Sequence, residues 1–206
     1  MRLSPVLLPL ALVPLLAAPL APAPAVAQPA TAAQQADAAR FIERLANEAF
    51  AVLRDPSISR AEAKARFKAM LRENFAIEQT GMRVIRKHRA SLTPAQLEAY
   101  RKVLPDYVVN TYADRLYDFG NSKLTVVRQA PRGTRGDVDV YARVTDPNGG
   151  RPFETIWSTS NASGRWLVTN LTVNGVNIAL TQEADFDSYI QRNGFDALVD
   201  FMRKSG

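Results

Sequence analysis

The chain has 206 residues, with 26 lysines and arginines against 20 aspartates and glutamates, a net charge of +6, one histidine and no cysteine. The lack of cysteine excludes disulfides, thiol catalysis and thiolate metal sites, and a single histidine leaves zinc without its preferred ligands. A basic surface suits an anionic membrane or an acidic partner, and would also suit nucleic acid.

The first 27 residues have the pattern of an export signal. Met1-Arg2 gives a positive start, Val6 to Leu20 is almost wholly apolar, and Ala25-Val26-Ala27 supplies the small residues that signal peptidase requires. The apolar run is shorter than the ~20 residues that span a bilayer, and prolines interrupt it. We therefore expect residues 1–27 to be a cleaved signal peptide and residues 28–206 to form one domain. An uncleaved anchor is the alternative. An exported chain without cysteine fits the periplasm best.

Two helices are predicted in the first part of the mature chain. Apolar residues recur at helical spacing from Phe41, and this helix is expected to end near Arg54, after an Ala/Gln-rich stretch at residues 30–39 that frays. Ser59 and Glu62 have the spacing of a capping box, which predicts the start of a second helix. Asn74-Phe75 breaks the pattern.

A short helix near residues 77–85 and a long helix follow. Thr93 as N-cap, Pro94 at the first helical position and Gln96 three residues after the cap predict the start of the long helix. Pro105 is expected to bend this helix without ending it. The helix should continue to Phe119, before Gly120.

Beyond residue 120 the apolar pattern alternates, which indicates strands. We predict strands at residues 124–129, at 138–144 with every second residue buried, at 153–159, and in a segment led by Trp166. Turn residues at 146–150 and 161–164 separate them at hairpin spacing. The four strands therefore form an antiparallel meander.

The segment from Trp166 to Ile190 carries more apolar surface than catalytic chemistry needs. The chain is expected to turn at Asn174-Gly175, resume as an apolar run, and enter a last helix that is interrupted at Asn193-Gly194. Carboxylates near the predicted start of that helix would complement its dipole. The residues in question are Glu183, Asp185 and Asp187.

The order of these elements predicts an α+β domain. N-terminal helices and a C-terminal helix would pack on a four-stranded antiparallel sheet, with an apolar cavity between helices and sheet, where ligand sites commonly form. Trp157 and Trp166 fit either a filled core or the wall of such a cavity.

The residue types present argue against an enzyme. His88 is the single histidine, and its neighbours Lys87 and Arg89 disfavour the imidazolium that a catalytic base must form. The acidic cluster at residues 183–187 would also suit calcium or a glycosidase pair, although a helix start explains it better. With no glycine-rich phosphate loop we expect no cofactor, and an exported protein rarely meets nucleic acid.

The motifs, taken in order and spacing, resemble the periplasmic phospholipid-binding component of the Mla-type (toluene-tolerance) ABC transport systems, including relatives associated with hopanoid biosynthesis. The resemblance covers the chain from about residue 35 to its C-terminus. It is carried by Asn74-Phe75, the helix from Thr93-Pro94-Ala95-Gln96 to Leu116, the Trp166-led strand, Asn174 to Gln182, and Phe186 to Leu198.

This resemblance implies a soluble carrier that holds phospholipid acyl chains in its interior. It further implies exchange of lipid between an inner-membrane ABC transporter complex and an outer-membrane lipoprotein complex. The residues expected to line the lipid pocket are Phe75, Val84, Tyr107, Val140, Trp157, Val168, Val176, Ile178 and Phe186.

Two segments depart from the family pattern. Residues 85–89 lack the glycine and tryptophan of a Gly-Arg-Tyr-Trp-like segment, and Gln182-Glu183 stands where relatives have a pair ending in arginine. A carrier of another lipid, such as a hopanoid, is therefore an alternative. An exported non-enzymatic adaptor with a filled core is a second one.

Overall fold

The structure, a computed structural model, describes residues 28–117, 120–145 and 150–205, and for residues 114–117 it describes the backbone only. The expected signal peptide, the end of the long helix at Phe119 and the turn at residues 146–149 lie outside these ranges. Among the described helices, none is both long enough and apolar enough to cross a membrane.

The first helix, α1 (Ala32–Arg54), begins earlier than the sequence predicts. Thr31 and Gln34 form a complete capping box, in which the Thr31 amide donates to Gln34 Oε1 at 2.8 Å. Ala30 and Ala38 are buried against the sheet. The expectation that residues 30–39 fray was therefore wrong, because small alanines pack closely where larger residues would not fit.

Three further helices complete the N-terminal half: α2 (Arg60–Asn74), α3 (Ile77–Val84) and α4 (Pro94–Tyr117). The Ser59 hydroxyl accepts from the amide of Glu62, as predicted, while the Glu62 carboxylate pairs with Arg66. The capping box at the start of α4 is complete, with the Gln96 amide donating to Thr93 Oγ1 at 3.2 Å. Pro105 lies within α4, which continues past it.

The sheet has five antiparallel strands in the order β1-β2-β3-β4-β5. The α+β class is thus confirmed, but the predicted four strands become five because residues 176–177 pair with the preceding strand. Asn174 and Gly175 both have positive φ, as a two-residue hairpin turn requires. The strands are β1 (Lys123–Arg132), β2 (Asp137–Thr145), β3 (Phe153–Ser160), β4 (Leu167–Val173) and β5 (Val176–Asn177).

A β-bulge at Thr169 sets which side chains of β4 point inward. Val168 pairs with Thr159 and Asn170 pairs with Ser158, so Thr169 has no partner in the ladder. The extra residue shifts the alternation by one position. The bulge therefore explains why the apolar residues of β4 that face the helices lie at 168, 171 and 173 rather than at every second position.

The C-terminal helix is two helices, α5 (Ile178–Asn193) and α6 (Phe195–Ser205). Gly194 separates them with φ +85°, at the interruption that the sequence predicts. Helix α5 begins at Ile178, and no acidic residue lies in its first turn. Glu183, Asp185 and Asp187 are therefore not placed to complement the dipole at the start of the helix, and that interpretation was wrong.

We predict that Gly194→Ala destabilises the protein through its backbone alone. At φ +85° and ψ 165° an L-residue is strained by about 1–3 kcal/mol, whereas open space surrounds the position that the added Cβ would take. Chemical denaturation measures the free energy of unfolding. Arg192→Ala, an exposed change two residues earlier, is the control and should shift it by no more than about 0.5 kcal/mol. Equal effects would contradict the backbone explanation.

Candidate functional site: an apolar cavity

A cavity of about 600 Å³ lies between the sheet and the helices. On the sheet side its wall includes Leu124, Val144, Phe153 and Val173, which lie where β1 and β3 begin and β2 and β4 end. The second half of α1 and parts of α2, α3, α4 and α5 complete the wall. The cavity therefore lies at one end of β1 and β2 and extends further along β3 and β4, and helices α1 to α5 enclose it.

The packing of α1 explains why the other end of β1 and β2 is filled. Buried residues of its first half, including Ala38 and Ile42, belong to the same packed cluster as Val138 and Val140 of β2. A second cluster joins α3, α4, α5 and α6 around Tyr100 and others. A third joins α2 to α4. Residues from all three clusters line the cavity, which lies where the clusters fail to meet.

The threonine side chains in the wall are already engaged within the protein. The Thr80 hydroxyl donates to the carbonyl of Thr169 at 2.9 Å, and the Thr169 hydroxyl donates to the carbonyl of Ser158 at 3.1 Å. Thr155 donates to Ala142 and accepts from the indole N–H of Trp157 at 3.0 Å. Because these groups have partners, the surface they offer to a ligand is largely hydrocarbon.

An empty cavity of this size would cost much of the free energy that stabilises a typical domain. Small cavities cost roughly 24 cal/mol per Å³, so an empty one of 600 Å³ would cost on the order of 10 kcal/mol. Whole domains are stable by only about 5–15 kcal/mol. A space with these walls does not hold water well either, since water needs polar partners. The cavity is therefore a site for an apolar ligand and not a packing defect.

Seven of the nine residues expected to line a lipid pocket lie in the wall of this cavity. They include two aromatic pairs: Phe75 meets the edge of Trp157 with ring centres 6.3 Å apart, and Tyr107 packs against Phe186 with ring centres 5.8 Å apart. The seven are Phe75, Val84, Tyr107, Trp157, Val168, Ile178 and Phe186.

The other two expected residues, Val140 and Val176, lie away from the wall. Val140 is fully buried in the filled half of the sheet, beneath the first half of α1. Val176 is 54% exposed in β5, at the edge of the sheet. The apolar alternation predicts both of them as pocket residues. The cavity, however, reaches β2 only at its far end, at Val144, and no residue of β5 lines it.

Several wall residues were not expected from the sequence. Helices α1 and α2 contribute Leu45, Phe50, Phe67 and Met70, which share the helical spacing of ordinary core residues. Gly81 and Leu104 also line the cavity, and a Cβ at Gly81 would overlap the Leu104 side chain. The spacing of apolar residues along a helix does not indicate whether they pack against other side chains or line an empty space.

The basic cluster before α4 contacts α5 through ion pairs. Arg86 Nε lies 3.1 Å from Glu183, while Lys87 Nζ and His88 Nε2 lie 3.0 Å and 2.8 Å from Asp187. These contacts place His88 outside the cavity wall, bound to a carboxylate of α5. Within the part of the chain that the structure describes, no three His, Asp or Glu side chains lie close enough to hold a metal ion.

The Asp187 contacts should make the stability of the protein depend on pH. Hydrogen bonds from Lys87 and His88 lower the pKa of Asp187, so its contribution is present above the unfolded pKa of about 3.9 and is lost as pH falls through the folded pKa. We expect Asp187→Asn to be less stable than wild type near pH 7. The difference in unfolding free energy should shrink as the pH falls below about 4. Denaturant titrations across this range measure it, and a difference independent of pH would contradict the assignment.

Comparison with known proteins gives consistent findings. The family model described as "MlaC protein" matches residues 43–204. The toluene tolerance protein ttg2D of Pseudomonas putida is 30% identical over 111 residues, which are 53% of this chain and 50% of that protein. The intermembrane phospholipid transport system binding protein MlaC of Haemophilus influenzae is 23% identical over 131 residues, 63% of this chain and 61% of that protein. These alignments thus span less than two thirds of each relative.

A solved structure shares the fold. It is the phospholipid-binding protein from Ralstonia solanacearum in complex with a phospholipid, with a TM-score of 0.69 at 17% sequence identity. The alignment covers 82% of this chain and 96% of that one. At this level of identity the likeness concerns the arrangement of helices and strands.

Proposed function

Because the chain belongs to the MlaC protein family, as its motifs indicate, we propose that it is a periplasmic carrier of phospholipid. It holds the acyl chains in its apolar cavity and moves lipid between inner-membrane and outer-membrane complexes of an ABC transport system. The observation that carries this proposal is the apolar cavity of about 600 Å³ between sheet and helices.

The physical chemistry of the cavity supports an acyl chain as the ligand. Each buried methylene contributes ~0.8 kcal/mol, so about ten of them contribute roughly 8 kcal/mol, which corresponds to micromolar binding before the cost of ordering the chain. The volume also falls within the ~300–1,000 Å³ of typical ligand pockets. Binding of an acyl chain needs a long cavity that excludes water, not particular polar contacts.

We assign acyl-chain contacts to the seven expected residues that line the cavity and leave out Val140 and Val176. Residues 1–27 would serve as the signal peptide that brings the carrier domain to the periplasm. The protein needs no catalytic group in this role. The single histidine, His88, and its neighbour Lys87 both contact Asp187, outside the cavity wall.

The relatives point in the same direction. One curated relative is named as the binding protein of an intermembrane phospholipid transport system, and the structural neighbour is in complex with a phospholipid. An adaptor with a filled core, the alternative of a different class, is disfavoured by the unfilled interior.

Native mass spectrometry of the purified mature protein tests the proposal directly. We expect a population carrying bound phospholipid, together with extraction of labelled phospholipid from vesicles by protein stripped of its lipid. Protein that is lipid-free as isolated and extracts nothing would overturn the carrier function.

A cavity-filling variant and a matched control test the site. Ala49 lies in the cavity wall, half-buried on α1, while Ala51 is exposed on the same helix. Ala49→Phe should reduce bound phospholipid at least about fivefold and keep the unfolding free energy within ~1 kcal/mol, because the ring enters existing space. Ala51→Phe should change neither. Lipid occupancy of Ala49→Phe equal to that of wild type would contradict this placement of the acyl chains.

A further inference from the structure

The cavity reaches solvent at the turn between β4 and β5. Of the described residues that line it, Asn174 in this turn is the exposed one, and the others are buried or half-buried. Two hydrogen bonds to the main chain of Glu154 hold the turn in place. The backbone N–H of Asn174 donates to the Glu154 carbonyl at 2.9 Å, and the backbone N–H of Glu154 donates to Asn174 Oδ1 at 3.1 Å. The mouth of the cavity therefore lies against the start of β3.

Large apolar side chains are exposed beside this mouth. Val176 pairs with Val173 across the hairpin, so both point to the cavity face of the sheet, yet Val176 is 54% exposed. Leu180, in the first turn of α5, is 59% exposed. Ile178 and Ala179, between them in the chain, line the cavity. Val176 and Leu180 therefore stand just outside the opening.

Other exposed apolar residues do not share this position. Phe201 packs against the rings of Tyr107 and Tyr189, with centres 6.1 Å and 5.3 Å away. Val127 is 57% exposed at a bulge of β1, on the opposite edge of the sheet. Four strand spacings of ~4.8 Å separate the two edges by about 19 Å. The exposed apolar surface at the mouth is thus distinct from these sites.

The charge beside the mouth is positive. Arg151 is exposed just before β3 and has no partner among the described residues. Glu154, the nearest carboxylate on this strand, pairs with Arg143 at 2.8 Å. On α5 the exposed Asp185 lies more than one helical turn beyond Leu180. The opening therefore combines aliphatic side chains with an exposed guanidinium.

We infer that Val176, Leu180 and Arg151 form a docking surface that seats the mouth of the cavity directly on an anionic phospholipid bilayer. This inference rests on the proposed function. Aliphatic side chains enter the boundary between headgroups and acyl chains, and a cation is attracted to anionic headgroups. A contact this small is weak and reversible, as a carrier that must leave again requires. Seated in this way, the mouth lets an acyl chain pass from bilayer to cavity without crossing water.

The test uses mature protein stripped of lipid, with vesicles of phosphatidylethanolamine and phosphatidylglycerol that contain a fluorescent phospholipid. The double variant Val176→Thr with Leu180→Gln keeps β-branching in the strand and a good helix former in the helix. We expect it to extract lipid at least about fivefold more slowly than wild type, while equilibrium lipid occupancy by native mass spectrometry is unchanged. The matched control Val127→Thr should extract at the wild-type rate.

A second arm tests the charge. Wild type should extract faster from vesicles with phosphatidylglycerol than from vesicles of phosphatidylcholine alone, and Arg151→Gln should remove about half or more of that gain. Thermal unfolding of every variant checks the fold. All four substituted positions are exposed, so we expect no loss of stability.

The outcomes separate the two proposals. A wild type that neither holds nor extracts lipid overturns the carrier function itself. A wild type that holds lipid, with the double variant extracting as fast as wild type, overturns the docking surface alone. The same conclusion follows if wild type holds lipid but takes none from bare vesicles, since the mouth then meets a protein partner instead.

Discussion

An apolar interior that is closed on most sides but not filled is the constraint on which the rest of this structure depends. Burying apolar surface drives folding, and a typical domain joins that surface into one contiguous core. Here the buried residues divide into three clusters that surround a space of about 600 Å³. Each cluster must be held in place by contacts at the perimeter, because the side chains that face the space have no packing partner there.

One set of these perimeter contacts lies along β4. The backbone of the bulge residue Thr169 accepts hydrogen bonds from Thr80 and Arg83 of α3, and its hydroxyl contacts Arg132 at 3.3 Å. The Val168 carbonyl accepts from the Ala76 amide at 2.9 Å. The bulge region thus ties α3 and the α2–α3 connection to the sheet at the cavity wall, while it turns apolar side chains of β4 inward. One irregularity in a strand both shapes the wall and supports it.

Helix α5 has a different relation to the cavity. It contributes Ile178, Ala179, Gln182 and Phe186 to the wall, and a residue or turn with positive φ lies at each of its ends, at Asn174-Gly175 and at Gly194. Its other attachments include the ion pairs of Glu183 and Asp187 to the segment before α4. The basic segment that departs from the family pattern and the acidic residues after Gln182 are therefore partners. The reversed charge at Glu183 is compensated within the protein by Arg86.

The sequence by itself determined the elements and most of their boundaries. Hydrophobic periodicity, the capping residues at Ser59 and Thr93, and the turn at Asn174-Gly175 are local signals, and a local signal is legible without the fold. The α+β class followed from the order of those elements. The prediction that residues 30–39 fray was wrong because Ala30 and Ala38 are held in place by close packing on the sheet, which an alanine-rich composition does not reveal.

Only the tertiary structure decided which apolar residues face a ligand and which face one another. Val140 and Val168 are both buried inward residues of the sheet, yet one lies in a filled core and the other in a cavity wall. The difference arises because Val140 lies on β2 in the cluster packed by the first half of α1, whereas Val168 lies two strands away on β4, beside Phe75 and Ala76 of the α2–α3 connection. Likewise, Gln182 lines the cavity and Val176 does not, because of how α5 and β5 are placed against β4. A cavity is an absence between elements, and no residue type in the chain encodes it locally.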